Sequence, residues 1–369
     1  MNKPSRALTV LGIETSCDET AAAVVRGSVP GPGEILSNVV FSQIEEHRPF
    51  GGVVPEIAAR AHVELLDGVI ERSLVDANVS LADVDAIAAT AGPGLIGAVM
   101  TGLLTGKALS LAACKPLVCV NHLEAHALTA RLTAATQFPF LLLLVSGGHC
   151  QLMAVEGLGS YRVYGATIDD AIGEAFDKSA KLLGLGYPGG PAIERLAANG
   201  NPKRLALPRP MLGRENADFS FAGLKTAVRH AICSHAGVSP EDVAASFQQS
   251  VTEIVVDRTR FAFGRFRADH PEQTPRFVVA GGVAANSPLR SALAGLCAAE
   301  GFAISTPPVA LCTDNAAMVA WVGIERAAAG DFDDLAFLPR ARWPVQELTR
   351  PDPARHADPS NSMRTAPPR

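Results

Sequence analysis

Two stretches of this chain share one grammar. "LTVLGIETSCDETAAAVV" (residues 8–25) and "FLLLLVSGGHCQLMAV" (residues 140–155) each read as an apolar strand, a small polar turn and a second apolar strand. They open at Leu8 and Phe140, 132 positions apart. A supersecondary unit recurring at that distance points to two related halves rather than a short-period repeat, although apolar–turn–apolar is common enough to recur by coincidence. The segments between and after the hairpins tell the same story. "VDAIAATAGPGLIGAVMTGLLTGKALSLAACKPLVCV" reads as strand, glycine-proline turn, helix, strand, and so does "RFVVAGGVAANSPLRSALAGLCAAEGFAIST" with its glycine turn. Strands alternating with helices imply parallel pairing and an α/β architecture. At about 150 residues per domain, 369 residues make roughly two.

Composition narrows the function classes. Hydrophobic residues make up 48% and charged residues 19%, as in a globular chain. The formal net charge of -5 gives no global positive field, though a local basic surface can still serve a nucleic acid. Residues 200–230 offer one: Lys203, Arg204, Arg209, Arg214, Lys225 and Arg229 stand against Glu215 and Asp218. Aromatic residues at 5% argue against extensive base stacking by this chain alone. Seven cysteines, an odd number without a C-x-x-C pair, fit a reducing compartment better than a disulfide framework. "MNKPSRALTVLGIE" lacks a signal-peptide core, and no uncharged apolar stretch reaches the roughly 20 residues that span a bilayer. The expectation is a cytoplasmic protein with no membrane partner. From about Pro344, "PVQELTRPDPARHADPSNSMRTAPPR" has almost nothing to bury and reads as a disordered tail.

Four segments carry candidate chemistry. In "VSGGHCQL", Gly147 and Gly148 follow a strand and let backbone N–H groups approach an anion, with the Ser146 hydroxyl beside them; a tight hairpin turn explains the same residues. In "AGGVAANSPLR", Asn286 and Ser287 stand where a helix begins, either seating a nucleotide or simply capping the helix. In "TIDDAIGEAFDKSAKLLGLGYPGGP", Asp170, Glu174, Asp177 and Lys181 fall within about 60° of one another at the helical period. That spacing predicts one helix entered through Thr167, with Asp170 at capping-box distance and an end at Gly184. The charged stripe is either a solvated face or a ligand-facing one. In "NHLEAHALTA", His122 and His126 at i and i+4 share a helix face and suit one metal ion. Glu124 is rotated about 200° from His122 by the helical period, so it cannot act as the base of an H-E-x-x-H metalloprotease. Asp314, in the polar turn of "LCTDNAAMVA", could complete a two-histidine, one-carboxylate site of the kind favoured by non-haem iron and accepted by zinc.

Taken in order, "LGIETSCDET", "GGVVPEIAAR", "TAGPGLIGA", "NHLEAH", "LLVSGGHCQL", "IDDAIGEAFDKSAKLLGLGYPGGP", "FSFAGLKT", "AGGVAAN" and "CTDNAAM" resemble the tRNA adenosine threonylcarbamoyltransferase family, long called a sialoglycoprotein endopeptidase, over roughly residues 8–345. The resemblance implies an actin-like ATPase fold, the sugar-kinase and heat-shock ATPase architecture, with two duplicated RNase H-like lobes around a cleft. The expected division is residues 1–134 for the first lobe, 135–345 for the second and 346–369 for the tail. It implies one divalent metal, Fe(2+) or else zinc, on His122, His126 and Asp314, and a substrate site of Leu144, Val145, Ser146, Gly147, Gly148, Asp177, Gly190 and Asn286. The implied reaction transfers a threonylcarbamoyl group from threonylcarbamoyl-AMP to the N6 amine of the adenosine just 3′ of the tRNA anticodon, releasing AMP. The implied partners are tRNA and accessory proteins, in bacteria a degenerate paralogue of the same fold and a small ATPase. Asn121 stands where the family usually has His, Ala125 where it has Gly, and Ala222 where Ser is common; none is a ligand position. No residue is singled out as a general base. A metalloprotease and an actin-fold ATPase or kinase are the alternative readings.

Overall fold

A computed structural model describes residues 6–234 and 237–348. The first half runs β1 (Leu8–Glu14), β2 (Glu19–Gly27), β3 (Gly33–Ser42), α1 (Ile44–His47), α2 (Pro55–Asp76), β4 (Ala86–Gly92), α3 (Ile96–Ala113), β5 (Leu117–Asn121) and α4 (His122–Ala134). The second runs β6 (Phe140–Val145), β7 (Cys150–Gly157), β8 (Ser160–Ala166), α5 (Ile172–Leu182), α6 (Gly189–Ala197), α7 (Ala222–Ser234), α8 (Pro240–Asp269), β9 (Arg276–Ala280), α9 (Ser287–Glu300), β10 (Ala303–Ser305) and α10 (Ala316–Ala328).

The strands form two five-stranded sheets, β3-β2-β1-β4-β5 and β8-β7-β6-β9-β10. In each, the first three strands pair antiparallel and the last two join in parallel. The two sheets are therefore the same unit used twice, as the paired hairpins led one to expect. The central strands explain themselves. β6, "FLLLLV", is buried along its whole length, so it lies between layers and needs apolar residues on both faces. α10 is buried from Ala316 to Glu325, and its sequence is apolar all round.

Among the described residues, three apolar clusters stack through the fold. One lies behind the first sheet, against α2 and α3; one lies behind the second, against α5 to α9. The third fills the space between the sheets and is built from α4, α10 and the inner faces of both. Within it Arg131 of α4 donates to Glu325 of α10 at 2.6 Å, and its guanidinium sits 4.0 Å from the Phe138 ring centroid. A buried pair that keeps its charge needs such close geometry to offset desolvation.

Three expectations need correction. The lobes are not contiguous in sequence: α10 packs on the first sheet, and beyond it Asp333 N donates to Leu117 O and Arg340 N to Ala91 O. α10, apolar all round, is covered on both sides, lying on β1 and β2 with the second sheet beyond it. The acidic helix begins at Ile172, not at Thr167. Asp169 instead accepts from Phe221 N and Ala222 N at the head of α7, and the Thr167 hydroxyl donates to Asp170 O, so no capping box can form. The ordered chain continues past Pro344: Trp343 and Val345 are buried, and Leu348 packs beside the first sheet. The remainder of the expected tail, residues 349–369, lies outside the described residues.

Candidate metal centre and substrate cleft

Asn121 ends β5 and begins α4. Its side chain accepts from Leu123 N at 2.9 Å and Glu124 N at 3.3 Å, and donates to Trp343 O at 2.9 Å. The residue that departs from the family pattern thus works as an N-cap. It sets the first turn of α4, which carries His122 and, one turn on, His126. Glu124 points the other way, accepting from Gly159 N and the Tyr161 hydroxyl near the second sheet's edge.

Asp314 reaches the histidine pair from the turn before α10. His126 Nε2 lies 3.0 Å and His122 Nε2 3.4 Å from the same atom, Asp314 Oδ1. The three ligand atoms fall within 4.8 Å of one another. Asn315 holds that turn by accepting from Met318 N and donating to Thr313 O.

The approach depends on two glycines. A Cβ on Gly12 of β1 would meet Ala316 O and would lie 2.6 Å from Ala320 N, and a Cβ on Gly323 would lie 2.8 Å from Val10 Cγ1. Only glycine lets α10 lie this close to β1.

Behind His122 stands a carboxylate that sequence reading did not select. His122 Nδ1 is 3.0 Å from Glu14 Oε2 and 3.1 Å from Ser16 Oγ. Glu14 is fully buried; Ser16 N and the Thr90 hydroxyl donate to it at 2.5 Å and 2.6 Å. The signal was there to find: Glu14 is an acid at the end of an otherwise apolar strand. Burial opposes charge on His122, but the charges of Asp314 and Glu14 outweigh it and hold its pKa well above the ordinary value of 6.5. Burial opposes charge on Asp314 too, and the two histidines nevertheless hold its carboxyl well below 3.8. The two carboxylates thus make this buried site favour positive charge at His122. A divalent cation fits the donor set: both Nε2 lone pairs would face it, and His122 would keep its Nδ1 proton for Glu14. That is the common arrangement in which a carboxylate orients a ligating histidine.

The expected substrate residues lie on β6 and the turn after it, on α5 and α6, and at the head of α9. Leu144 and Val145 are buried in β6, while Gly147 and Gly148 are exposed in the turn that follows. In that turn Ser146 N donates to His149 O and His149 N to Ser146 Oγ. Burial and the His122 and His126 charges lower the pKa of His149 to about 4. α5 abuts the turn: Gly173 N donates to Ser146 O at 3.2 Å, and a Cβ on Gly173 would lie 2.8 Å from Gly147 Cα. Asp177, half-buried, accepts from Gly189 N at 2.7 Å. Burial, then Asp18 and Glu174, raise its pKa. Gly190 faces open space. Asn286 is buried and engaged: it caps α9 through Leu289 N and donates to Glu194 and Gln248 at 3.1 Å. Its amide is therefore fixed by those two side chains, neither of which sequence reading had singled out.

In the basic segment, Lys203, Arg204, Arg214, Lys225 and Arg229 are exposed, whereas Arg209 pairs with Glu253.

Known proteins resemble the chain along most of its length. Residues 34–321 match the family model for tRNA N6-adenosine threonylcarbamoyltransferase. Proteins of that name from Brucella anthropi and Brucella canis are 61% and 60% identical over 348 residues, which is 93% of this chain and 97% of each of theirs. Among solved structures, full-length HypF in its phosphate- and nucleotide-bound form superposes with a TM-score of 0.57 at 13% identity, over 88% of this chain and 47% of HypF. That likeness concerns the fold alone.

Proposed function

The chain belongs to the tRNA N6-adenosine threonylcarbamoyltransferase family, and from that premise we propose that it draws the threonylcarbamoyl group from threonylcarbamoyl-AMP and uses one divalent metal, iron or zinc, held by His122, His126 and Asp314. The transfer is acyl transfer from a mixed anhydride to a weak amine nucleophile. The leaving group is already good, so the demand on the protein is orientation and charge stabilisation. The metal, when bound, supplies a Lewis acid that polarises and orients the carbamoyl group. Glu14 and Ser16 hold the His122 ring in its ligating orientation. The Gly147–Gly148 turn presents backbone N–H groups to the adenylate phosphate, where no side chain blocks approach. Asp177 and Gly190 border the space for the ribose and base.

The observation that carries this reading is the convergence of His122, His126 and Asp314, whose ligand atoms lie within 4.8 Å of one another. The exposed cations of residues 203–229 suit tRNA phosphates. Accessory proteins are part of the proposal: Val63 of α2 and Ile96, Met100 and Leu104 of α3 leave large apolar side chains exposed. α3 is long and apolar enough to cross a membrane, but its buried side packs behind the first sheet against α2. We place the protein in the cytoplasm, where its tRNA substrate is.

The test supplies threonylcarbamoyl-AMP and unmodified tRNA, with and without accessory proteins, and looks for modified adenosine by mass spectrometry. Product is expected from the unaltered chain and none from His122→Ala. Equal product from both would sink the proposal.

A further inference from the structure

A buried run of hydrogen bonds leads from the head of α2 to the turn beside the metal centre. Thr20, Gln43, His47 and His62 are all fully buried. Val54 N, at the start of α2, donates to His47 Nδ1 at 3.2 Å. The His47 proton is therefore on Nε2, which donates to Gln43 Oε1 at 3.3 Å. That orients the Gln43 amide, whose Nε2 lies 3.2 Å from Thr20 Oγ1 and 3.3 Å from His62 Nδ1. The Thr20 hydroxyl donates to the same Nδ1 at 2.8 Å. His62 accordingly carries its proton on Nε2 and donates it to Cys17 O at 3.0 Å. The next carbonyl, Asp18 O, accepts from Gln43 N at 3.0 Å. Each donor has its acceptor, so one directional set of tautomers satisfies the whole run.

Cys17 and Asp18 belong to the turn between β1 and β2. Its other side faces the metal centre: Ser16 Oγ is 3.1 Å from His122 Nδ1, and Ser16 N donates to Glu14 Oε1. Two successive carbonyls are thus pinned from the α1–α2 side, one residue away from the groups that orient His122. We infer that His62 is a positioning residue for the transfer reaction: through the Cys17 carbonyl it sets the turn that holds Ser16 and Glu14 against His122. The inference rests on reading His122, His126 and Asp314 as the reactive centre. A satisfied buried polar network specifies geometry more than it stabilises, and here the geometry specified is that of a turn touching the site.

The experiment compares His62→Leu with His62→Gln, which keeps an N–H donor toward Cys17 O. The full chain is assayed with tRNA, threonylcarbamoyl-AMP and accessory proteins, well below each variant's melting temperature. Metal affinity is read separately by Co(2+) titration. His62→Leu is expected to lower kcat and weaken Co(2+) binding by about tenfold each, with KM for tRNA unchanged. His62→Gln is expected to restore both to within about threefold of the unaltered chain. Unaltered kcat and Co(2+) affinity in His62→Leu, whatever its melting temperature, overturn the inference; so do equal losses in the two variants. Should His62→Leu not fold, Thr20→Val removes the hydroxyl that donates to Nδ1 and accepts from Gln43 Nε2, and an unaltered kcat there overturns it as well. His122→Ala in the same assay separates the two claims. If it keeps activity and Co(2+) binding, the reading of the site fails; if it loses them while His62→Leu does not, only the present inference fails.

Discussion

Gly12 of β1 and Ala316 of α10 meet backbone to backbone, with no room between them for a methyl group. This contact brings Asp314, two residues before α10, to the histidines of α4. Gly12→Ala must push against main chain rather than a movable side chain, so it is expected to cost about 1–3 kcal/mol by overpacking. It should also carry Asp314 away from His122 and His126. Denaturant unfolding and bound-metal analysis check both; an unaltered midpoint with full metal content would refute the argument.

Glu14→Gln keeps the shape of the side chain and an acceptor for the His122 Nδ1 proton, but removes the buried charge. Loss of a carboxylate behind a ligating histidine weakens metal affinity by about 10–100-fold. Competition against a chelator measures it. Unaltered affinity would mean that Glu14 serves the fold and not the metal.

Metal binding should tighten as pH rises. Without metal, the charges of Asp314 and Glu14 overcome burial and raise the His122 pKa well above 6.5. Its ion pairing therefore stabilises the metal-free protein fully below pH 6.5 and is lost as pH climbs through the raised value. Asp314 runs the other way: its pKa is depressed well below 3.8, so its contribution is present above that pH and disappears under strong acid. A metal must displace the His122 proton, so affinity should gain about tenfold per pH unit while that proton is bound. Titrations between pH 6 and 8 test the slope, and a flat profile would show that no proton leaves.

Arg131→Met leaves Glu325 charged and buried between α4 and α10. The expected loss is about 3–5 kcal/mol, and replacing both residues by apolar ones should recover most of it. Chemical denaturation of the single and double variants decides; equal losses would place the cost in packing rather than in the stranded charge.

Gly148→Ala separates fold from ligand binding. A Cβ there meets nothing within 4 Å, and the residue is not in the left-handed region. The melting temperature should stay within about a degree, because no contact is displaced. The KM for threonylcarbamoyl-AMP should rise about tenfold, because a displaced phosphate misaligns the reacting group. An unaltered KM would remove the glycine turn from the substrate site.

Much of the architecture was readable along the chain. Apolar runs such as "FLLLLV" bounded by glycine turns mark central strands, and the repeated hairpin marks the duplicated sheet. The start of α5 was misread because Thr167 and Asp170 have capping-box spacing, whereas the long-range bonds from Asp169 to α7 decide where the helix begins. Glu14, Ser16 and His62 went unselected because no period links residues 14, 16, 62 and 122; only packing of the first sheet against α2 and α4 brings them together.

The sequence by itself determined the local geometry: two imidazoles on one face of α4, glycine turns after buried strands, and the pairing of like halves. These follow from rules that act over a few residues, the helical period and the freedom of glycine. The tertiary structure alone decided that Asp314, 188 residues beyond His126, completes the cluster, and that Glu14 orients it. Such meetings depend on how closely α10 can lie on β1, and that distance is set by packing in three dimensions rather than by spacing along the chain.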